Sequence, residues 1–303
     1  MNPDYHTIPR KEPDETFTIW SAGEAPGAHT SPAHYVLTER SELAWLPDRA
    51  ASGIKAPFIS IWRPEVSNGI ALLVIPGGGY NRVVIDKEGS DLATRFTAQG
   101  YSLFVMTYRM PDGGHSEASL APLADVQRAI RVMRARAQEW GLNTQRIGVL
   151  GFSAGGHLAG SLATHFDYPA YAATEEADHL SARPDFAALM YPVITMDTAL
   201  THPGSARALL GATPEPHWRQ HHSLELQVRD DMPPVFLAHA ADDPSVPVAN
   251  SLLMFQALLA HKVPAEMHIF QQGQHGFGLR GCVDLPARSW PELLMNWIEA
   301  QCQ

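Results

Sequence analysis

Short, continuous apolar runs punctuate this chain, each bounded by glycine or proline and separated from the next by a longer stretch with helical spacing. Residues 58–62, 71–75, 102–107, 146–150, 186–191, 235–239 and 266–270 are the strand candidates, and most of them are such runs. A strand with one wet face alternates polar and apolar side chains. A strand covered on both faces does not, so these runs predict buried strands of a parallel sheet. Between them, Leu123, Val126, Ile130, Met133, Ala137 and Trp140 recur every three or four residues and predict one apolar helix stripe. Leu252, Phe255 and Leu259 predict a second stripe, and Leu293, Leu294, Trp297 and Ile298 a third. Parallel neighbours need a crossover that a helix can fill, so the expected class is α/β, a mostly parallel sheet with helices on both faces. No repeat or sharp linker divides the 303 residues, and one domain over 1–303 is expected. Residues 1–30, rich in Pro, Gly, Asp and Glu, read as an irregular arm. Residues from about 198 to 232 lose the strand–helix rhythm and read as an insertion above the strand ends.

The strongest local signal is Gly151-Phe152-Ser153-Ala154-Gly155, directly after the apolar run that ends at Leu150 and before a helix-compatible segment from Gly156. Strand, sharp turn and helix form the context in which G-x-S-x-G lifts a serine hydroxyl into open space. A hydroxyl attacks poorly until a base takes its proton, and on this elbow architecture the acid and the histidine follow the serine in that order. After the run 235–239 come Asp242 and Asp243, at the end of a strand where an orienting carboxylate belongs. Asp243 has the usual offset before Val246-Pro247 and is preferred, with Asp242 as the alternative. After the next run, Gly273-Gln274-His275-Gly276 offers His275 on a flexible loop as the base. His157, one helical turn past Ser153, is the competing histidine among 15, and its position favours packing beside the elbow.

A tetrahedral intermediate also needs hydrogen-bond donors for its oxyanion. Pro76-Gly77-Gly78-Gly79-Tyr80 follows the run 71–75, and glycines let backbone N–H groups turn inward. Gly78 and Gly79, with the Ala154 N–H, are the expected donors. A phosphate cradle is the other reading of such a loop, but G-x-G-x-x-G is not completed. Tyr80, Glu88 and Trp218 are candidate pocket residues. Glu88 either lines the pocket or caps the next helix, and Tyr80 and Trp218 either stack on a sugar or pack internally. His217, His221 and His222 include a pair at helical spacing but lack an evident third ligand, so no metal is expected.

The balance of 22 basic against 32 acidic residues, a formal charge of -10, argues against a nucleic-acid surface. Arg128, Arg131, Arg134 and Arg136 fall in one helical pattern and read as a solvated helix face. Two cysteines, Cys282 and Cys302, are too few for a disulfide framework, and whether they pair stays open. No apolar run is long enough to span a bilayer, and the first residues lack a basic start followed by an apolar stretch. A cytoplasmic protein without membrane contact is expected, with export left open.

Pro76-Gly77-Gly78-Gly79-Tyr80, Lys87-Glu88-Gly89, Gly151 to His157 and His275-Gly276-Phe277-Gly278 resemble the acetyl-xylan-esterase-like branch of the α/β hydrolases. The similarity runs from about Ile70 onward, and Trp20 to Ala28 also looks like that branch's N-terminal arm. The resemblance implies Ser153 as nucleophile, His275 as base and Asp243 as acid. It implies an oxyanion hole from Gly78, Gly79 and Ala154; no cofactor is expected. It further implies removal of acetyl or other short acyl groups from a carbohydrate or small-molecule ester. A serine peptidase or lipase on the same fold, or a non-catalytic binding protein, are the alternatives. Oligomeric state is not legible.

Overall fold

The structure, a computed structural model, describes residues 11–20, 25–116 and 118–302. Every expected apolar run forms a strand. In chain order the strands are β1 (Glu15–Thr18), β2 (Val36–Glu39), β3 (Arg49–Ser52), β4 (Phe58–Trp62), β5 (Ala71–Ile75), β6 (Val83–Val84), β7 (Ser102–Met106), β8 (Ile147–Phe152), β9 (Ala187–Met190), β10 (Val235–Ala240) and β11 (Ala265–Phe270). The helices are α1 (Ala93–Thr97), α2 (Ala121–Ala135), α3 (Ala154–Thr164), α4 (Pro203–Leu210), α5 (Pro216–His222), α6 (Ala249–Ala260) and α7 (Trp290–Gln301).

An 8-stranded sheet runs in the order β1-β4-β7-β5-β8-β9-β10-β11. From β7 to β11 each neighbouring pair is parallel, whereas β1 and β4 run antiparallel at one edge. A side sheet of β2, β3 and β6 is antiparallel. Alternation along the strands divides the core. Leu73, Val149, Leu189 and Leu237 pack with residues of α2, α3 and α6, while Leu72, Leu150, Ala188 and Phe236 pack with residues of α1 and α7. Burial on both faces is why these strands carry no polar alternation.

After β5 the chain re-enters the main sheet as β7 on one side, then as β8 on the other. Such a reversal leaves a crevice beyond the carboxyl ends of β5 and β8, the place where open α/β sheets bind ligands. The glycine loop leaves β5 and the serine elbow leaves β8, so both open on this crevice.

Three expectations change. The arm over 1–30 is not wholly irregular: β1 pairs with β4 at the sheet edge, while residues 1–10 and 21–24 lie outside the described residues, including part of the Trp20–Ala28 stretch. The stripe of α6 is not Leu252, Phe255 and Leu259, since Leu252 and Leu259 are exposed. Ser251, Met254 and Leu258 face inward instead, because Ser251 has a buried partner in His239. The pattern Arg128, Arg131, Arg134 and Arg136 is not wholly a solvated face, because Arg128 turns inward. Arg128 is buried and ion-paired with Asp178 (2.6 Å) and Glu175 (2.5 Å), and Arg134 and Arg136 pair with Asp185 and Glu139.

A related knot fastens the N-terminal segment. Asp125 and Arg109 are fully buried and pair at 2.8 Å; the Trp20 indole N–H donates to Asp125 at 2.9 Å, and Arg109 donates to the Pro26 carbonyl. Asp125→Ala should cost about 3–5 kcal/mol, because it strands a buried guanidinium without its counter-charge. Urea unfolding of the variant checks this; a loss under about 1 kcal/mol would mean that water reaches Arg109.

Candidate active site

Ser153 occupies φ 55°, ψ -118°, a backbone region that non-glycine residues seldom adopt, between β8 and α3. Three close approaches require glycine around it. A Cβ on Gly151 would lie 2.3 Å from the Gly155 carbonyl oxygen, one on Gly155 would lie 2.1 Å from the Ile75 carbonyl oxygen, and one on Gly77 would lie 2.9 Å from the Ser153 Cβ. The elbow and the glycine loop are thus pressed together, which explains the glycines of both motifs.

Ser153 Oγ lies 2.8 Å from His275 Nε2, and His275 Nδ1 lies 2.7 Å from Asp243 Oδ2. The Asp243 carboxylate is fully buried. Its Oδ1 accepts the Ser245 and Val246 N–H groups at 2.8 and 2.9 Å. Burial alone would raise its pKa, but hydrogen bonds from His239 and His275 outweigh burial and hold it well below the usual carboxylate range. A buried carboxylate facing Nδ1 selects the tautomer in which that nitrogen carries the proton and Nε2 is free to accept one. Asp242, the alternative acid, is committed elsewhere. Its Oδ1 accepts the Gly273 and Gln274 N–H groups and holds the entry to the histidine loop.

Gly78 and Gly79 have φ 139° and 68°. Among the described residues the amides of Gly78, Gly79 and Ala154 have no hydrogen-bond acceptor, whereas the Gly77 N–H is committed to Glu88 Oε2 at 2.8 Å. The segment 198–232 reaches this loop. Ser205 Oγ would lie 3.9 Å from a Cβ on Gly79, and His202, half-buried at the N-cap of α4, has its pKa lowered by burial and by His275.

Two of the three pocket candidates are corrected. Tyr80 is 1 % exposed, and its hydroxyl lies 2.8 Å from His157 Nδ1, so its ring packs internally. Glu88 neither caps a helix nor lines an open pocket: it is buried, bonded to Gly77 and to the Tyr191 hydroxyl at 3.0 Å. Trp218, on α5, lies against His217, His221 and His222 of its own helix. Tyr191 and His239, which touch His275 and Asp243, are not singled out by the sequence. The partners of Tyr191 are distant along the chain, and only Asp243, four residues past His239, offers a local cue.

His157 is excluded as a competing base. Its Nε2 donates to the His222 carbonyl at 2.8 Å, its Nδ1 accepts from Tyr80, and burial lowers its pKa to about 4. Burial likewise lowers His165 to about 4, and burial puts His222 well below its ordinary value. Unfolded imidazoles take up a proton near 6.5 and these folded ones resist it, so stability is full above pH 6.5 and falls as the pH drops from there toward 4. For fully buried His157 the slope is about 1.4 kcal/mol per pH unit. Urea midpoints at about pH 7 and about pH 5 measure it, and a stability that stays flat would contradict the depressed imidazoles.

The BD-FAE family model matches residues 60–258, which carry the glycine loop, the elbow and Asp243. This chain belongs to the BD-FAE family. Curated relatives include the endo-1,4-beta-xylanase B of Butyrivibrio fibrisolvens, 40 % identical over 205 residues, 68 % of this chain and 32 % of that protein. The acetylxylan esterase of Xylanibacter ruminicola is 33 % identical over 219 residues, 71 % of this chain and 42 % of its own length. The chain therefore spans less than half of these curated relatives. Among solved structures, the acetyl ester-xyloside bifunctional hydrolase of Caldicellulosiruptor lactoaceticus is 34 % identical, covers 97 % of both chains and superposes with a TM-score of 0.77. The architecture of this BD-FAE member is the α/β-hydrolase fold. No helix among its described residues is long and apolar enough to cross a membrane.

Proposed function

We propose that this chain is a serine carboxylesterase that removes acetyl or other short acyl groups from carbohydrate esters. The observation that carries the reading is the unbroken run from Ser153 Oγ through His275 to buried Asp243, beside three amides with no acceptor among the described residues. Ser153 attacks the ester carbonyl while its proton passes to His275 Nε2, and Asp243 stabilises the imidazolium that forms. The amides of Gly78, Gly79 and Ala154 receive the oxyanion. His275 returns the proton to the leaving sugar hydroxyl, which departs and leaves an acyl-Ser153 ester. Water, deprotonated by the same imidazole, then attacks; the carboxylic acid leaves and Ser153 recovers its proton. Relatives named as an acetylxylan esterase and an acetyl ester-xyloside hydrolase support the short acyl group and the sugar alcohol.

A series of p-nitrophenyl esters from acetate to dodecanoate, run beside acetylated xylo-oligosaccharides with acetate release as the readout, tests the substrate class. The expected kcat/KM is highest for the shortest acyl chains. A rise toward long chains would make the protein a lipase, and cleavage of peptide anilides without ester turnover would make it a peptidase.

A further inference from the structure

One carboxylate lies where the three loops of the site converge and takes no part in the steps above. Glu88 is only 5 % exposed. Burying a carboxylate is costly unless donors surround it, so its partners define why it is there. Its Oε2 accepts the Gly77 N–H at 2.8 Å, on the glycine loop after β5. Its Oε1 accepts the Tyr191 hydroxyl proton at 3.0 Å, from the turn after β9. The Tyr191 oxygen in turn accepts the Gly278 N–H at 3.1 Å, on the loop that carries His275.

Tyr191 shows further signs of constraint. Its φ of 37° is rare for an aromatic residue, and such strain persists only where the surroundings over-determine it. Here the Tyr191 N–H donates to the Ala238 carbonyl at 2.7 Å, and the fully buried ring stands edge-on to His275, centroids 5.3 Å apart, and to Phe277 at 4.7 Å. Burial, reinforced by the Glu88 charge, keeps the hydroxyl protonated, so it remains a donor to Glu88. On the other side, Gly77 is wedged between Glu88 and Ser153, with a Cβ there 2.9 Å from both Glu88 Oε2 and the Ser153 Cβ.

We infer that Glu88 and Tyr191 form a buried brace that sets the spacing between the glycine-loop amides, Ser153 and His275. The inference rests on the proposed ester hydrolysis. Both are positioning residues: neither hydrogen-bonds Ser153 Oγ or the His275 ring nitrogens. A brace of this kind acts on the transition state, whose oxyanion must meet the loop amides as His275 receives the proton. Substrate that is merely bound does not require that alignment.

The test is steady-state hydrolysis of p-nitrophenyl acetate by wild type, Glu88→Ala, Glu88→Gln and Tyr191→Phe, with rates normalised to sites titrated by a fluorophosphonate. Normalisation removes any loss due to unfolded protein. Because a misplacement near 1 Å costs on the order of 100-fold, Glu88→Ala should lower kcat by about 10–100-fold with KM within about twofold. Tyr191→Phe, which keeps the ring but loses the bridge, should lower kcat by about 5–10-fold. Glu88→Gln retains an oxygen for the Gly77 N–H and should restore most of the loss. An unchanged normalised kcat in Glu88→Ala, a loss confined to KM, or a Gln variant no better than Ala would overturn the brace while leaving the esterase reading intact. A wild type in which the probe fails to label Ser153 would overturn that reading, and the brace with it.

Discussion

Ser153→Ala should lower kcat for p-nitrophenyl acetate by about 10⁶-fold, leave KM near wild type and abolish labelling by a fluorophosphonate. The hydroxyl oxygen is the atom on which the acyl group would sit, so no neighbouring residue can substitute for it. What remains should come from the amides of Gly78, Gly79 and Ala154, which still stabilise an oxyanion formed by direct attack of water, worth about 10³–10⁴ over the uncatalysed reaction. Alanine keeps the Cβ that Gly77 packs against, so unfolding should stay within about 1 kcal/mol of wild type and the lost activity cannot be ascribed to a lost fold. Activity within tenfold of wild type would remove Ser153 from the mechanism.

Asp243→Asn should lower kcat by about 10⁴-fold, and the surrounding hydrogen bonds dictate how. Asp243 Oδ1 accepts two backbone N–H groups, from Ser245 and Val246. An amide NH₂ cannot accept them, so the asparagine must place its oxygen there and its NH₂ where Oδ2 now faces His275. That NH₂ can only donate to Nδ1, which drives the imidazole proton to Nε2, the nitrogen that should accept from Ser153. The variant should be folded, labelled slowly at Ser153 and similar to wild type in KM. A loss under tenfold would mean that the tautomer of His275 is set by something other than Asp243. Acid should not mimic this variant until the pH is very low, because the wild-type carboxylate is held well below its usual range.

Much of this arrangement is readable from sequence, and the parts that are not share a physical cause. β5, β8 and β10 are legible because burial on both faces erases polar alternation. β1 and β2 are not: their residues alternate in exposure or are wholly exposed, and Phe17 in β1 or Val36 and Leu37 in β2 are too few to mark a strand. Ser153, Asp243 and His275 are legible because each sits in a short local context in a fixed chain order. The stripe of α6 misleads because its inward face carries Asn250 and Ser251, whose partners lie on other elements: Asn250 Oδ1 accepts from Ile194 and Thr195. Glu88 and Arg128 mislead in the same way. A charged side chain in an amphipathic pattern reads as wet unless its counterpart, here Tyr191 or Asp178, is known to fold back from far along the chain.

The place of β11 at the sheet edge, paired among the described residues only with β10, carries a consequence for how the protein acquires chemical competence. The serine elbow and glycine loop grow from the middle of the sheet, but the imidazole arrives on the loop that leaves the outermost strand. A partly assembled chain can therefore have a formed elbow whose hydroxyl is inert. In refolding, the return of turnover would report docking of that last strand, lagging behind collapse of the interior as seen by tryptophan fluorescence. In a nascent chain emerging from the ribosome, the serine would stay unactivated until the loop that carries His275 is out, which separates making the nucleophile from arming it.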